Sequence, residues 1–108
     1  MRILHILDHS LPLHSGYTFR TRAILKAQHR LGLTVAGVTG NRHTAEPARD
    51  DPFAGEGMEW VDGLCFYRTI EQATGSSPLR EWREIGLLCD RIVDVAKSFR
   101  PDVLHAHS

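Results

Sequence analysis

The first strand-like run constrains this chain more than any other feature. Arg2-Ile3-Leu4-His5-Ile6-Leu7 is short, rich in Ile and Leu, and shows little polar alternation. Such a run suits a strand covered on both faces, the condition of a parallel sheet. The segment from Asp8 to Gly16 carries Pro12 and Gly16 and reads as a loop. Helical spacing begins near Thr18, with Ile24, Ala27 and Leu31 expected to face the sheet, and Gly32 stands where a helix C-terminus favours glycine. Leu33 to Thr39 reads as a second strand.

The remainder repeats the pattern with one interruption. Gly40 to Gly57 is polar, rich in Pro, Gly, Asp and Arg, and is expected to be a long loop. Met58–Asp62 and Leu64–Thr69 are two β-prone runs around Asp62-Gly63, a turn signal that predicts a small hairpin or a kinked strand. After a loop from Glu71 to Ser77, Ser77-Pro78 reads as N-cap and first helical residue. Ile85, Leu88, Cys89, Ile92, Ala96 and Phe99 form the apolar stripe of that helix, Pro101 ends it, and Asp102 to Ala106 is a last strand. Strands alternating with helices predict an α/β fold, a Rossmann-like parallel sheet with flanking helices and right-handed crossovers.

At 108 residues the chain is expected to form one domain. Its formal net charge is zero, so global charge gives no sign of nucleic-acid binding. No apolar run approaches the roughly 18–20 residues that span a bilayer. Cys65 and Cys89 make neither a disulfide framework nor a CxxC site and are expected to be small, at least half-buried thiols, in keeping with a reducing cytoplasm. Trp60 and Trp82 are expected to be packing residues. A sequence stopping just past a strand at Ser108 is expected to be a fragment.

Two features point to ligand chemistry. Ligands of open α/β sheets bind beyond the carboxyl ends of the strands, and a glycine before a helix lets a phosphate approach free backbone N–H groups. Ser15, Gly16 and Thr18 fit that design, with Arg20 within reach of a substrate phosphate, although no GxGxxG is present and a plain turn is the bland alternative. His105 and His107, at i and i+2 of the last strand, share one face and that same edge. A neutral imidazole there can serve a sugar hydroxyl or a phosphate oxygen. The spacing also suits a metal pair, but no nearby Asp, Glu or Cys completes a tetrahedral set in sequence, and no metal is expected. Arg22, Lys26 and Arg30 recur at i, i+4 and i+8 with no acidic residue from Thr18 to Gly32. That stripe is either a solvated face or an attraction for an anionic membrane surface. His5, His9, His14, His29 and His43 show no interpretable spacing.

Met1 to Leu7, the loop with Pro12 and Gly16, and Arg100-Pro-Asp-Val-Leu-His-Ala-His107 together resemble the N-terminal domain of retaining GT-B glycosyltransferases of family 4. Asp8 to Arg22 further resembles a bacterial subgroup associated with exosortase A and exopolysaccharide loci. The resemblance covers nearly the whole chain. It implies two Rossmann-like domains across a cleft, of which residues 1–108 would be part of the N-terminal, acceptor-side one, with the donor-binding domain and its paired glutamates absent. It implies transfer with retention from a nucleotide-sugar donor, as co-substrate, to a glycan or lipid-linked acceptor, without metal or other cofactor. A cytoplasmic location with peripheral contact at the inner membrane, and no nucleic-acid partner, go with it.

Carried over by position, Gly16 would approach the donor diphosphate, His107 would stand catalytically near the transferred sugar, and His105 would support it. Many members have two adjacent glycines where this chain has Gly16-Tyr17. The 108 residues alone are expected to be inactive. Two rival readings are a metal-dependent hydrolase using His105 and His107, and a non-catalytic Rossmann-like binding module.

Overall fold

A computed structural model describes residues 1–7, 16–40, 57–69, 76 and 78–107. The elements are β1 (Arg2–Leu7), α1 (Gly16–Arg30), β2 (Thr34–Thr39), β3 (Met58–Val61), β4 (Leu64–Arg68), α2 (Leu79–Phe99) and β5 (Val103–Ala106). They build one five-stranded sheet in the order β3-β4-β2-β1-β5. The pairs β1·β2, β1·β5 and β2·β4 are parallel, and β3 pairs antiparallel with β4 at the edge. The expected α/β architecture is therefore present.

The strand order decides where the helices go. The chain steps from β1 outward to β2, then returns from β4 across the sheet to β5. Right-handed crossovers taken in opposite directions place their helices on opposite faces. The cores agree. Leu25 of α1 packs with Leu7, Leu64 and Phe66 on one face, whereas Val95 and Phe99 of α2 pack with Leu4, Ala36, Val38 and Cys65 on the other. Strand β1 accordingly sends Ile3, His5 and Leu7 to the α1 side and Leu4 and Ile6 to the α2 side.

Local chemistry fixes the ends. The Asp62-Gly63 hairpin turn has both residues at positive φ, 54° and 76°, the conformation of a tight two-residue turn matched to strand twist. Helix α2 closes at Arg100, whose backbone is left-handed and whose N–H donates to the Ala96 carbonyl at 3.0 Å. Asp102 then fastens the start of β5 to β1. Its N–H donates to the Arg2 carbonyl and its carboxylate accepts from the Arg2 N–H, both at 2.8 Å.

Several details depart from expectation. Helix α1 buries Thr18, Thr21 and Leu25, while Ala27 is exposed and Leu31 is 79% exposed. The helix thus turns the Thr18–Thr21–Leu25 face to the sheet in place of the Ile24–Ala27–Leu31 face. Of the expected stripe on α2 only Phe99 is buried, with Leu88 and Ile92 packed beside it, and the second buried residue is Val95, which the stripe did not include. At 21 residues this helix is about 31 Å long, against about 20 Å for a six-residue strand. Its early residues Leu79, Trp82 and Ile85 therefore stand past the sheet and remain exposed. Trp60 and Trp82 are not core residues, and Cys89 is exposed while Cys65 is buried. Pro78 takes the N-cap position of α2 without a side-chain cap bond. Residues 8–15, 41–56, 70–75, Ser77 and Ser108, among which the expected loops fall, lie outside the described residues.

Candidate functional site

Three imidazoles meet where β1 and β5 lie side by side. The parallel register sets His5 directly opposite His105, and His107 follows two residues on, still held to β1 by its N–H donating to the Ile6 carbonyl at 3.0 Å. All three share the α1 face. The His105 and His107 rings stack at 4.2 Å between centroids and 18° between planes, while His5 lies 5.0–5.1 Å from each. His5 is fully buried, His107 half-buried and His105 exposed, so the cluster runs from the core out to solvent.

Helix α1 supplies the fourth member. The Gln28 amide oxygen accepts from His5 Nε2 at 2.7 Å, and His5 Nδ1 lies 2.7 Å from His107 Nε2. Burial lowers the His5 pKa, opposed by the Gln28 hydrogen bond and reinforced by His105. The His107 pKa is lowered to about 4, through burial first and then the charges of His105, His5 and Arg20. Both rings are neutral at pH 7, when imidazole serves as acceptor, base or metal ligand.

Position in the topology gives this cluster its meaning. β2 and β4 lie to one side of β1 and β5 to the other, so the chain reverses direction between β1 and β5. Open α/β sheets bind ligands at such a reversal, beyond the carboxyl ends of the strands. His107 sits at that end of β5, and α1 begins there after β1. Helix α1 leaves from that end because it connects the parallel strands β1 and β2.

The expected site residues divide accordingly. His105 and His107 stack together at the end of β5, and the charge of Arg20 bears on His107. Gly16 is the exposed first residue of α1, and a Cβ built there meets no atom within 4 Å. Thr18 is fully buried beneath α1, away from the surface a ligand would reach. Ser15 lies outside the described residues. Sequence reading missed His5 and Gln28. The one available signal was a histidine inside each of two apolar runs, Leu4-His5-Ile6 and Leu104-His105-Ala106, which parallel pairing then aligned.

The basic stripe on α1 has a partner that sequence distance concealed. Asp62, in the hairpin turn, pairs with Arg22 and with Lys26 at 3.0 Å. Hydrogen bonds from Lys26 and then Arg22 hold its carboxyl below the usual aspartate value. Self-repulsion in the stripe is thus relieved within the chain. A second charged group, Arg68 at the end of β4, is buried with Glu59 at 3.0 Å and Thr39 Oγ1 at 3.0 Å, a packing role within the sheet. A cleft of about 290 Å³ lined by His29, Gly32, Thr34, Trp60 and Cys65 opens at the amino ends of β2 and β4, the pole opposite the histidines. Among the described residues no helix is long and apolar enough to cross a membrane.

Fold and site together define an open α/β protein with a histidine-lined topological switch point. No family model, curated protein or solved structure matches the chain.

Proposed function

We propose that this chain is the acceptor-side part of a retaining, nucleotide-sugar-dependent glycosyltransferase of GT-B type. One observation carries the reading: by topology the start of α1, which follows β1, and His107, which follows β5, lie toward the carboxyl ends of the sheet, the rim at its switch point. The resemblance through Gly16 and the Pro-Asp-Val-x-His-Ala-His ending supplies the chemistry. Gly16 N–H would meet the departing diphosphate, Arg20 would add positive charge to that rim, and His107 would contact the transferred sugar. Positioning and neutralisation of the leaving group would drive transfer. A donor-binding domain, a glycan or lipid-linked acceptor, and cytoplasmic action at the inner membrane belong to the same proposal.

The test is nucleoside diphosphate release from UDP- and GDP-hexoses by the complete gene product, compared with its His107→Ala variant. Release that falls at least 100-fold in the variant supports the reading. Equal release from both, or turnover by residues 1–108 alone, sinks it. A second reading, metal-dependent hydrolysis, gains from His5: candidate ligand atoms of His5, His105 and His107 all lie within 4.8 Å of one another. Three histidines with an open fourth position suit a catalytic zinc. Retention of zinc by the purified protein, with ester hydrolysis, would favour it.

A further inference from the structure

Gln28, His5 and His107 form a line of two 2.7 Å contacts from helix to strand to strand end. An amide oxygen has no proton to give, so the His5 Nε2 that faces it carries the hydrogen. His5 is fully buried, and among the described residues no carboxylate pairs with it, which favours one proton on the ring. Its Nδ1 therefore keeps a lone pair and accepts. The atom opposite, His107 Nε2, must donate. The second nitrogen of His107 is then left unprotonated, and among the described residues it has no hydrogen-bond partner.

We infer that Gln28 and His5 are positioning residues that lock His107 in the Nε2–H tautomer, so that His107 Nδ1 accepts from a ligand hydroxyl and does not donate to a phosphate oxygen. This rests on the switch point being the ligand site, as read above. It assigns the two nitrogens distinct tasks, one structural and one facing chemistry. It also selects the ligand group: a hydroxyl can give the hydrogen that Nδ1 needs, whereas an ionised phosphate oxygen cannot.

A metal would require a different arrangement of the same atoms. Two ligands about 2.0–2.1 Å from a tetrahedral cation stand roughly 3.3 Å apart, with both lone pairs aimed at it. The 2.7 Å contact between His5 and His107 instead encloses a proton.

Long-range ¹H–¹⁵N spectra of the ¹⁵N-histidine-labelled chain at pH 7 read the tautomer directly. The expected result is a protonated Nε2 and an unprotonated Nδ1 on His107. Gln28→Lys puts a donor-only ammonium against His5, which reverses both contacts and is expected to move His107 to the Nδ1–H form. Gln28→Met removes the acceptor and is expected to give a mixture. Nδ1–H on His107 in the native chain overturns the inference, as does an unchanged tautomer in both variants when far-UV circular dichroism shows them folded. Equimolar Zn²⁺ that moves all three rings to metal-bound shifts overturns it in favour of the metal reading. The native spectrum decides the matter even if neither variant folds. No sugar enters this measurement, so its failure is distinguishable from failure of the transferase assay.

Discussion

The two faces of the sheet are built from the same strands yet solve different problems. On the α2 side, Leu4, Ala36, Val38, Cys65, Val95 and Phe99 make a hydrocarbon core. On the α1 side, Leu7, Leu25, Leu64 and Phe66 form a smaller core under the middle of the sheet, and toward β5 the surface gives way to His5, His105 and His107. Strand alternation places Leu4 and His5 back to back, one residue apart. One face therefore holds the fold together by apolar burial, while the other holds polar groups in a set hydrogen-bonded order. Changes on the first face should cost stability, and changes on the second should alter protonation and ligand binding.

The largest expected effect falls on the α2 side. Leu4 is fully buried, and Leu4→Ala should cost about 2–5 kcal/mol, as large-to-small core substitutions do. Urea unfolding followed by circular dichroism measures it. A cost below about 1 kcal/mol would mean that α2 is not clamped on the sheet. The α1 side has one comparably tight spot. A Cβ on Gly37 would lie 2.8 Å from Phe66 Cδ1 and 3.2 Å from Leu7 Cδ1. Gly37→Ala is therefore expected to destabilise by about 1–3 kcal/mol, in the range of overpacked cores. A neutral result in the same urea titration would show that the Phe66 ring yields freely.

Protonation should separate the faces more sharply. The folded-state pKa of His107 is lowered from 6.5 to about 4, and that of His5 is lowered as well. Between these limits the unfolded chain binds more protons than the folded one. Stability from these rings is fully present above about pH 6.5 and is lost as pH falls through about 4. Urea midpoints should decline over that window in the native chain, and the slope should flatten in His107→Asn while surviving in Leu4→Ala. A midpoint that is flat from pH 7 to 4 would deny that His107 is held neutral.

How much of this was readable beforehand follows from where each interaction lies in sequence. The strands and helices were legible because Ile and Leu runs, Pro101, and the Asp62-Gly63 turn are local signals. The site was half legible. His105 and His107 are two residues apart and announced themselves, but His5 lies about a hundred residues from them and joins only through the β1·β5 register. Gln28 gave little signal, since it is polar itself and lies on a helix face whose buried members, Thr18, Thr21 and Leu25, include a single apolar residue. Asp62 was read as a turn former, and its pairing with Arg22 and Lys26 needed the hairpin to fold back over α1. Periodicity shows which residues are apolar together, and long-range pairing decides which polar ones meet.

The smallest expected effect on stability tests the rim itself. Gly16 opens α1 with no positive φ and no atom within 4 Å of an added Cβ. Nothing among the described residues therefore requires glycine there. Alanine is the better helix former, so Gly16→Ala should leave stability unchanged or raise it by no more than about 1 kcal/mol. If a diphosphate approaches this backbone, the new methyl stands where the ligand must come. In the complete gene product KM for the nucleotide sugar should then rise at least tenfold while the urea midpoint holds. That combination would separate a ligand-contacting glycine from a turn glycine, because a turn glycine would lose midpoint and not KM. An unchanged KM would remove Gly16 from the site and leave the histidine end of the rim to carry recognition.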